Sequence, residues 1–439
     1  MKKTFITTLG CKVNQFESAS IKDSFEDHGL TSTGSIDDAD IIVINTCAVT
    51  GKASSQSRQM IRKAARLNKK AAIVVTGCHA QLAAEEIKKM SDIPSHRLCI
   101  IGNDQKDILV PHVLEKKGRE DIITDNLQSN PKQICLLPVS QFSNRTRAYL
   151  RIQDGCNSFC SYCIVPYTRG RSRSLSKDAV LKQAQQYQAA GHREIVVTGI
   201  HVGQYGADLE ESLTISNLME LLCVTIPDVR FRLSSIEPLE ISPPLLTLMS
   251  KMDNFMPHLH IPLQSGDNDI LKRMNRRYTR EQFLSIFQAC RSHLPDAAIG
   301  IDVMVGFPGE STEHFENTRS FLEGIDFTYL HVFPYSKRPG TNAASFTDQV
   351  QKQEKSERAE ILRNLSEKNR IAFYNHHIGS RQTVLIENER DVSGLLKGFS
   401  ENYITVLVDG EDNLKNRIVS VELEGLVNGS IKAHLINES

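Results

Sequence analysis

Three thiols crowd one short stretch of this chain: in QDGCNSFCSYC, residues 153–163, Cys156, Cys160 and Cys163 are separated by three and then two residues. Thiolates are the natural ligands of iron-sulfur clusters, and so tight a loop can hold three of a cube's four irons and leave the fourth open. Zinc is the competing reading, but a structural zinc site asks for four closed ligands, usually cysteines paired as two C-x2-C-like units. A second set of thiols follows another pattern. TFITTLGC, ADIIVINTC and AAIVVTGC each run an apolar, β-branched segment into a cysteine: Cys11, Cys47 and Cys78. Buried small hydrophobes are the competing reading for these three.

The elements that would position these residues can be read from periodicity. Helix-like stretches at 17–28 and 54–68 separate the three strand-to-cysteine segments. Such alternation implies a parallel, doubly wound sheet whose strands end along one edge, where the binding crevice forms. Cys11, Cys47 and Cys78 are therefore expected to meet. From about Arg147 to Tyr335 the alternation resumes, with strands around Leu150, Val196, Phe231, His260, Val303 and His331 and helices such as 177–190 and 280–294. Six β/α units read as an incomplete barrel whose chemistry sits at the carboxyl ends of its strands. Residues 128–138 read as a linker containing a short strand. A charged helix over 349–375 leads into five short strands without helices, which fit a small closed barrel of the oligonucleotide-binding type. The expected fold class is α/β, with units at 1–127, 145–375 and 376–439.

Composition narrows the possibilities. The 439 residues are 40% hydrophobic and 24% charged, which suits folded domains rather than disorder. Fifty-two basic residues balance fifty-two acidic ones, so whole-chain charge argues for no partner. No apolar stretch is long enough to span a membrane. The opening MKKTFITTLGC mimics a lipoprotein signal, but its apolar part is short and broken by Thr7 and Thr8, so it reads as a buried strand of a cytoplasmic protein. The ten cysteines, irregularly spaced, point to thiol or metal chemistry rather than disulfides. Cys99 and Cys135 in short apolar strands, and Cys223 and Cys290 in helices, read as structural.

Three cysteines at this spacing, with Tyr162 just before the last and a barrel strand just ahead, resemble the radical S-adenosylmethionine enzymes. The resemblance implies that the open iron chelates the amino and carboxylate groups of S-adenosylmethionine, which an electron then cleaves to methionine and a 5′-deoxyadenosyl radical; the protein positions the cofactor and excludes solvent. TLGCKVNQ, NTCAVT, VTGCHAQ, YCIVPYTRGRSRS, SSIEP, HIPLQSGD, RMNRRYT, DVMVGFPGE and HVFPYSKRPGTNA extend the likeness over essentially the whole chain, to the methylthiotransferases. By that likeness Cys11, Cys47 and Cys78 hold a second 4Fe-4S cluster, which carries or supplies sulfur, and Cys156, Cys160 and Cys163 hold the radical-generating one. It also places Tyr162, Thr198, Gly199, Glu237, Gln264 and Ser265 at S-adenosylmethionine, although the acidic residue usual after the second strand is not evident in VTGIHVG. Residues 306–310 either shape the adenosine pocket or form a turn before a helix capped at Ser311.

TLGCKVNQ with Lys12 and Gln15, NTCAVT and HVFPYSKRPGT look most like the branch that methylthiolates C2 of N6-threonylcarbamoyladenosine beside the anticodon of tRNA. An unactivated C2–H bond is beyond acid-base catalysis, whereas a carbon radical can open it. The implied scheme uses one S-adenosylmethionine to methylate sulfur and another to make the radical, with an external electron donor. Isopentenyl-adenosine in tRNA or a ribosomal protein are the alternative substrates, and a non-catalytic iron-sulfur RNA-binding or electron-transfer protein is the alternative of another class. Three basic runs fit a tRNA partner: seven Lys or Arg without an acid over 52–70, six Arg against Asp154 over 145–173, and Lys272, Arg273, Arg276, Arg277 and Arg280. The last barrel resembles the TRAM domain, an RNA-binding module, yet residues 374–439 hold six basic and ten acidic residues. It either grips RNA through a local face such as Arg381, Lys397 and Tyr403 or serves as a packing module.

Overall fold

The computed structural model describes residues 1–90, 93–115, 121–124, 127, 134–142, 145–211 and 213–436. The first unit alternates strand and helix: β1 (Lys3–Thr8), α1 (Lys12–Asp27), β2 (Thr31–Ser32), β3 (Ile41–Thr46), α2 (Gly51–Leu67), β4 (Ala72–Gly77), α3 (Cys78–Lys88), β5 (Leu98–Ile101), α4 (Leu109–Glu115) and β6 (Asp121–Ile123). The strands form one parallel sheet in the order β2-β1-β3-β4-β5-β6. Helices cover both faces: Ile42, Ile44, Ile73 and Val75 pack with Ile61, and Val43, Val74 and Ile101 pack with Phe25 and Leu109. A strand covered on both faces must be apolar at every position, which is why β3 and β4 read as continuous runs. The opening strand departs from the expected burial. Only Thr4 of β1 is buried, because its outer neighbour β2 is two residues long and leaves much of that edge open. Helix α1 also starts earlier than its periodicity suggests, directly after Cys11. Asn14 turns its side chain onto the strand-end carbonyls of Leu9 (2.7 Å) and Thr46 (3.1 Å) instead of breaking the helix.

The second unit contains all six expected strands: β7 (Arg147–Arg151), followed by the short ribbon strand β8 (Gln153–Asp154), α5 (Val165–Arg169), β9 (Arg173–Ser174) and α6 (Lys177–Ala189), then β10 (Glu194–Thr198), α7 (Ile215–Thr225), β11 (Arg230–Leu233), α8 (Pro243–Lys251), β12 (His258–Gln264), α9 (Asn268–Arg273), α10 (Arg280–His293), β13 (Ala298–Val305), α11 (Thr312–Glu323) and β14 (Tyr329–Pro334). Two parallel three-stranded sheets, β7-β10-β11 and β12-β13-β14, meet along β11 and β12. There the Phe231 amide donates to Asn254 O (2.7 Å) and the Ile236 amide to His260 O (3.0 Å). Alternation sorts the side chains: Leu259, Ile261, Ile299, Ile301 and Leu330 join the main core, while His258, His260, Asp302, Tyr329 and His331 share the concave face.

Helix α12 (Lys352–His376) packs along β14 and leads to β15 (Arg381–Arg390), β16 (Leu396–Ser400), β17 (Thr405–Val408), β18 (Ile418–Val427) and β19 (Ser430–Leu435), a closed barrel ordered β15-β16-β17-β19-β18. Its turn between β16 and β17 reaches the amino-terminal rim of the larger barrel. Tyr403 lies under the guanidinium groups of Arg232 (4.8 Å) and Arg147 (5.6 Å) and 4.4 Å from the His258 ring. Of the expected linker, residues 128–133 lie outside the described residues, and 134–142 are extended without a strand. Cys135 is therefore not a strand residue, and its thiol donates to Asp104 O (3.3 Å).

Candidate metal centres

Residues 153–163 are forced into a compact loop by their glycine and by the residues behind it. Gly155 has φ +76°, and a Cβ there would sit 2.0 Å from Arg171 O, so no other residue fits. The Cys156 amide donates to Gly170 O (3.1 Å) and the Cys163 amide to Cys160 O (2.9 Å), while Asn275 Nδ2 holds Phe159 O (3.0 Å). Each of two thiols meets a nitrogen donor: Cys156 Sγ lies 3.3 Å from His201 Nδ1, and Cys160 Sγ accepts from Arg276 Nη1 at 3.3 Å. Burial alone would raise the Cys156 thiol, but His201 and the Ser158 amide bring it below its ordinary value. Burial would lower His201, yet its bonds to Cys156 and to Glu240 (2.7 Å) push it up to about 10. Burial and then the Cys160 thiolate push Cys163 up to about 12.

Beside this loop opens a cavity of about 220 Å³ lined by Cys160, His201, Glu237, Glu240, Arg276 and Tyr278, among others. Glu237, four residues past the end of β11, pairs with the Arg276 guanidinium. Gln264 ends β12 in the left-handed region (φ +66°), just past a register shift, with its Oε1 buried and unpartnered among the described residues. Thr198 and Gly199 end β10; a Cβ on Gly199 would come within 2.9 Å of Gln153 Oε1. Tyr162 packs edge-on against Phe307. Ser265 faces elsewhere, its hydroxyl 3.2 Å from Thr318 Oγ1 on α11. Residues 306–310 form a structural turn: Glu310 accepts from the Gly306 amide (2.8 Å) and pairs with Arg358 of α12 (2.5 Å).

The second set of thiols forms at the carboxyl edge of the first sheet. Cys11 caps α1, Cys78 opens α3, and Cys47 precedes α2 by a short turn. Helix amino-termini favour anions, so Cys11 and Cys78, each at the start of a helix, sit where a thiolate is favoured. Gly10 (φ +105°) lets the chain approach so closely that a Cβ would touch the Cys47 Sγ at 2.9 Å, and Gly77 (φ +94°) passes Thr46 O where a Cβ would be 2.3 Å away. Burial and then the nearby Cys78 and Cys11 thiols push Cys47 up to about 11. The donor sets fit iron-sulfur clusters: each is three thiols at a glycine-shaped site, and Asn103 Nδ2 lies 3.9 Å from Cys78 Sγ as His201 and Arg276 lie by the other set.

A buried ion network joins the two sites. Arg169, 1% exposed, donates to Asp154 (2.9 Å), two residues before Cys156, and to Glu17 (2.9 Å) and Asn14 (2.7 Å) on α1. Lys106 pairs with Glu17 from the other side. Burial would raise both carboxyls, but Arg169, joined by Lys106 and Arg151 at Glu17 and by Arg151 and Arg173 at Asp154, reverses this and holds them below the ordinary range. The motif after β14 completes the junction: Ser336 Oγ accepts from the Gly51 amide at the start of α2 (2.9 Å), and Arg338 Nη2 donates to Ser54 Oγ (2.8 Å).

Several residues carry roles that the sequence reading did not assign. His201 and Glu240 went unread because the sequence does not show that β10 and β11 end side by side. Arg151, Arg169 and Arg173 counted as part of a basic run, yet all three are buried in ion pairs. Arg276 likewise belongs to the cavity, and Arg273 and Arg280 are matched by Asp348 and Glu281. Tyr403 lies against Arg147 and Arg232, so it is not part of an outward RNA face. The run on α2 survives: Lys52, Lys63, Arg66, Lys69 and Lys70 are exposed, and the helix contains no acid.

A model of the radical SAM superfamily matches residues 150–322, and one described as uncharacterized protein family UPF0004 matches residues 3–97. The chain is 38% identical to a threonylcarbamoyladenosine tRNA methylthiotransferase, MtaB, of Bacillus subtilis, over 95% of this chain and 92% of that one. It is 37% identical to the MtaB of Rickettsia prowazekii, over 98% and 97%. A tRNA-2-methylthio-N(6)-dimethylallyladenosine synthase of Fusobacterium nucleatum is 33% identical over 96% and 97%. Among solved structures, the radical S-adenosylmethionine methyltransferase TsrM of Kitasatospora setae shares the fold, with TM-score 0.56 at 14% identity over 78% of this chain and 77% of that one. Two thiol sites, one in a barrel loop and one on the edge of a separate sheet, thus coincide with near full-length likeness, and the chain belongs to the radical S-adenosylmethionine methylthiotransferase family.

Proposed function

We propose that this enzyme methylthiolates C2 of N6-threonylcarbamoyladenosine next to the anticodon of tRNA. Its cofactors are two 4Fe-4S clusters and S-adenosylmethionine. In our reading Cys156, Cys160 and Cys163 ligate the radical-generating cluster and Cys11, Cys47 and Cys78 the auxiliary one, with units at 1–127, 145–375 and 376–439. When bound, these groups supply an electron, a deoxyadenosyl radical, and the methyl and sulfur to be transferred.

The observation that carries the proposal is the Arg169 network, which locks the two thiol sites to one another through buried charges. A base held between them is within reach of both. The chain's own residues do three things there. His201 and Arg276 direct N–H groups at thiolate sulfurs and so favour their charged form. Glu237, fixed by Arg276, and Gln264, with its unused carbonyl, offer acceptors at the strand ends, where the amino group of S-adenosylmethionine needs them. The exposed cations of α2, which begins four residues after Cys47, offer an anionic RNA backbone a place beside the crevice. No helix among the described residues is long and apolar enough to cross a membrane, and we place the enzyme in the cytoplasm with an external electron donor.

Nucleoside mass spectrometry of bulk tRNA tests the reading, using cells that lack the methylthio modification, with and without this gene. The expected result is methylthiolated threonylcarbamoyladenosine. Product on isopentenyl-adenosine alone would keep the chemistry and overturn the substrate; unchanged tRNA in cells holding cluster-loaded protein would overturn both.

A further inference from the structure

Lys12 follows Cys11 directly and opens α1, which packs along β7 with Phe16, one turn on, beneath the Arg151 guanidinium (5.2 Å). The residue is exposed, yet across from it stand Tyr403, Arg147 and Arg232, its strongest electrostatic neighbours. It is thus a cation open to solvent with charged groups of the larger barrel and of the small barrel nearby. Among the described residues its ammonium has no hydrogen-bond or ion-pair partner, whereas every arginine opposite is matched. Arg147 pairs with Glu387 (3.0 Å), Arg232 with Glu194 (2.8 Å) and Arg230 with Glu401 (3.8 Å). Against Glu387, Glu194 and Glu401, these three arginines and Lys12 leave one positive charge over. The Tyr403 phenol registers it: burial would raise that group, but Arg147, Lys12 and Arg232 together hold it below its ordinary value.

We propose that Lys12 binds the carboxylate of the amino-acid substituent on the substrate base, and so sets the preference for a threonylcarbamoyl group over an apolar one. The inference rests on the substrate reading above. C2 must face the sulfur delivered beside Cys11. The N6 substituent leaves the same six-membered ring from C6, with only N1 between C2 and C6, so its far end lies a side-chain length from C2. Lys12, one residue from Cys11, exposed, and across from Tyr403, Arg147 and Arg232, stands where it can meet a group at that distance. A carboxylate supplies the missing negative charge; an isopentenyl group supplies none and would strip water from the ammonium without replacing it.

The holoenzyme is assayed on three anticodon stem-loop RNAs that differ only in carrying threonylcarbamoyladenosine as its free acid, the same nucleoside as its methyl ester, or isopentenyl-adenosine. Unsubstituted enzyme is expected to favour the acid by roughly tenfold in kcat/KM, through KM, as the loss of one charge-assisted contact would give. Lys12→Met with full iron content is expected to treat acid and ester alike, and Lys12→Arg to restore most of the preference. Equal use of acid and ester by the unsubstituted enzyme, a comparison that needs no variant, overturns the inference and leaves the substrate reading standing; it is also the outcome if Lys12 serves a backbone phosphate. A preference unchanged in Lys12→Met overturns it as well. Turnover of isopentenyl RNA with neither threonylcarbamoyl RNA used refutes the substrate reading, and this inference falls with it.

Discussion

The loop at residues 156–163 and the sheet edge at Cys11, Cys47 and Cys78 each gather three thiols, by opposite means. In the loop a single glycine turn and a few amide bonds bring three near neighbours together. At the edge, three strands must first pair in register, and three helices must start where their thiols end. The first site is local and survives wherever its loop closes, whereas the second exists only in the finished sheet. Their electrostatics do not sort by site. His201 brings Cys156 below its ordinary value, but burial and neighbouring thiols push Cys163 of the same loop up to about 12 and Cys47 of the edge up to about 11. Both sites hold protons that metal binding must release.

The largest effects separate the two sites outright. Cys160→Ala is expected to abolish both S-adenosylmethionine cleavage and product, while Cys47→Ala keeps cleavage and loses the methylthio product; each loses about half the iron, read by iron assay and product chromatography. Joint loss of cleavage in Cys47→Ala would mean that the sites do not work independently. Next comes their junction. Arg169→Met takes from Glu17 and Asp154 the guanidinium that bridges them and leaves each buried with one remaining cation, Lys106 or Arg151, at a cost of about 3 kcal/mol in urea unfolding. Both carboxyls have native values below their unfolded ones, so the stability they confer is full above the ordinary carboxylate range and is lost as pH falls through the native values. The penalty of Arg169→Met should therefore shrink below about pH 4; one that stays constant down to there would show the network is not ionised. The smallest effect is on RNA: Lys63→Glu on α2 with Lys69→Glu just past its end should weaken tRNA binding by roughly tenfold at low salt, and less as salt rises, in a filter-binding titration. Insensitivity to salt would remove α2 from the RNA path.

The contrast also explains what the sequence disclosed. The spacing of Cys156, Cys160 and Cys163 is legible because one loop carries the whole site. Cys11, Cys47 and Cys78 are legible at one remove, since each ends a strand and parallel strands end together. The six barrel strands and the five of the last barrel follow from short periodic runs bounded by turns. Charged residues resist this kind of reading. Arg169 and Arg276 look like surface cations until Glu17, more than a hundred residues away, and Glu237 are folded against them. A charge run records composition, whereas burial is decided by partners that sequence proximity does not reveal. His201 is missed for the same reason: its roles come from Cys156 and Glu240, on other strands' loops.

The rim occupied by Tyr403 bears on how the chain comes off the ribosome. Arg147, Arg230 and Arg232 belong to the first half of the larger barrel, but each takes a partner from the last sixty residues: Glu387, Thr383 and the Ser400 and Glu401 carbonyls. Vectorial synthesis therefore produces a barrel whose floor stays open, with Arg147 and Arg230 short of partners, until the segment from β15 to Tyr403 has emerged behind it. Closure of the lumen thus waits on the small barrel, and loss of that segment leaves an unsealed vessel.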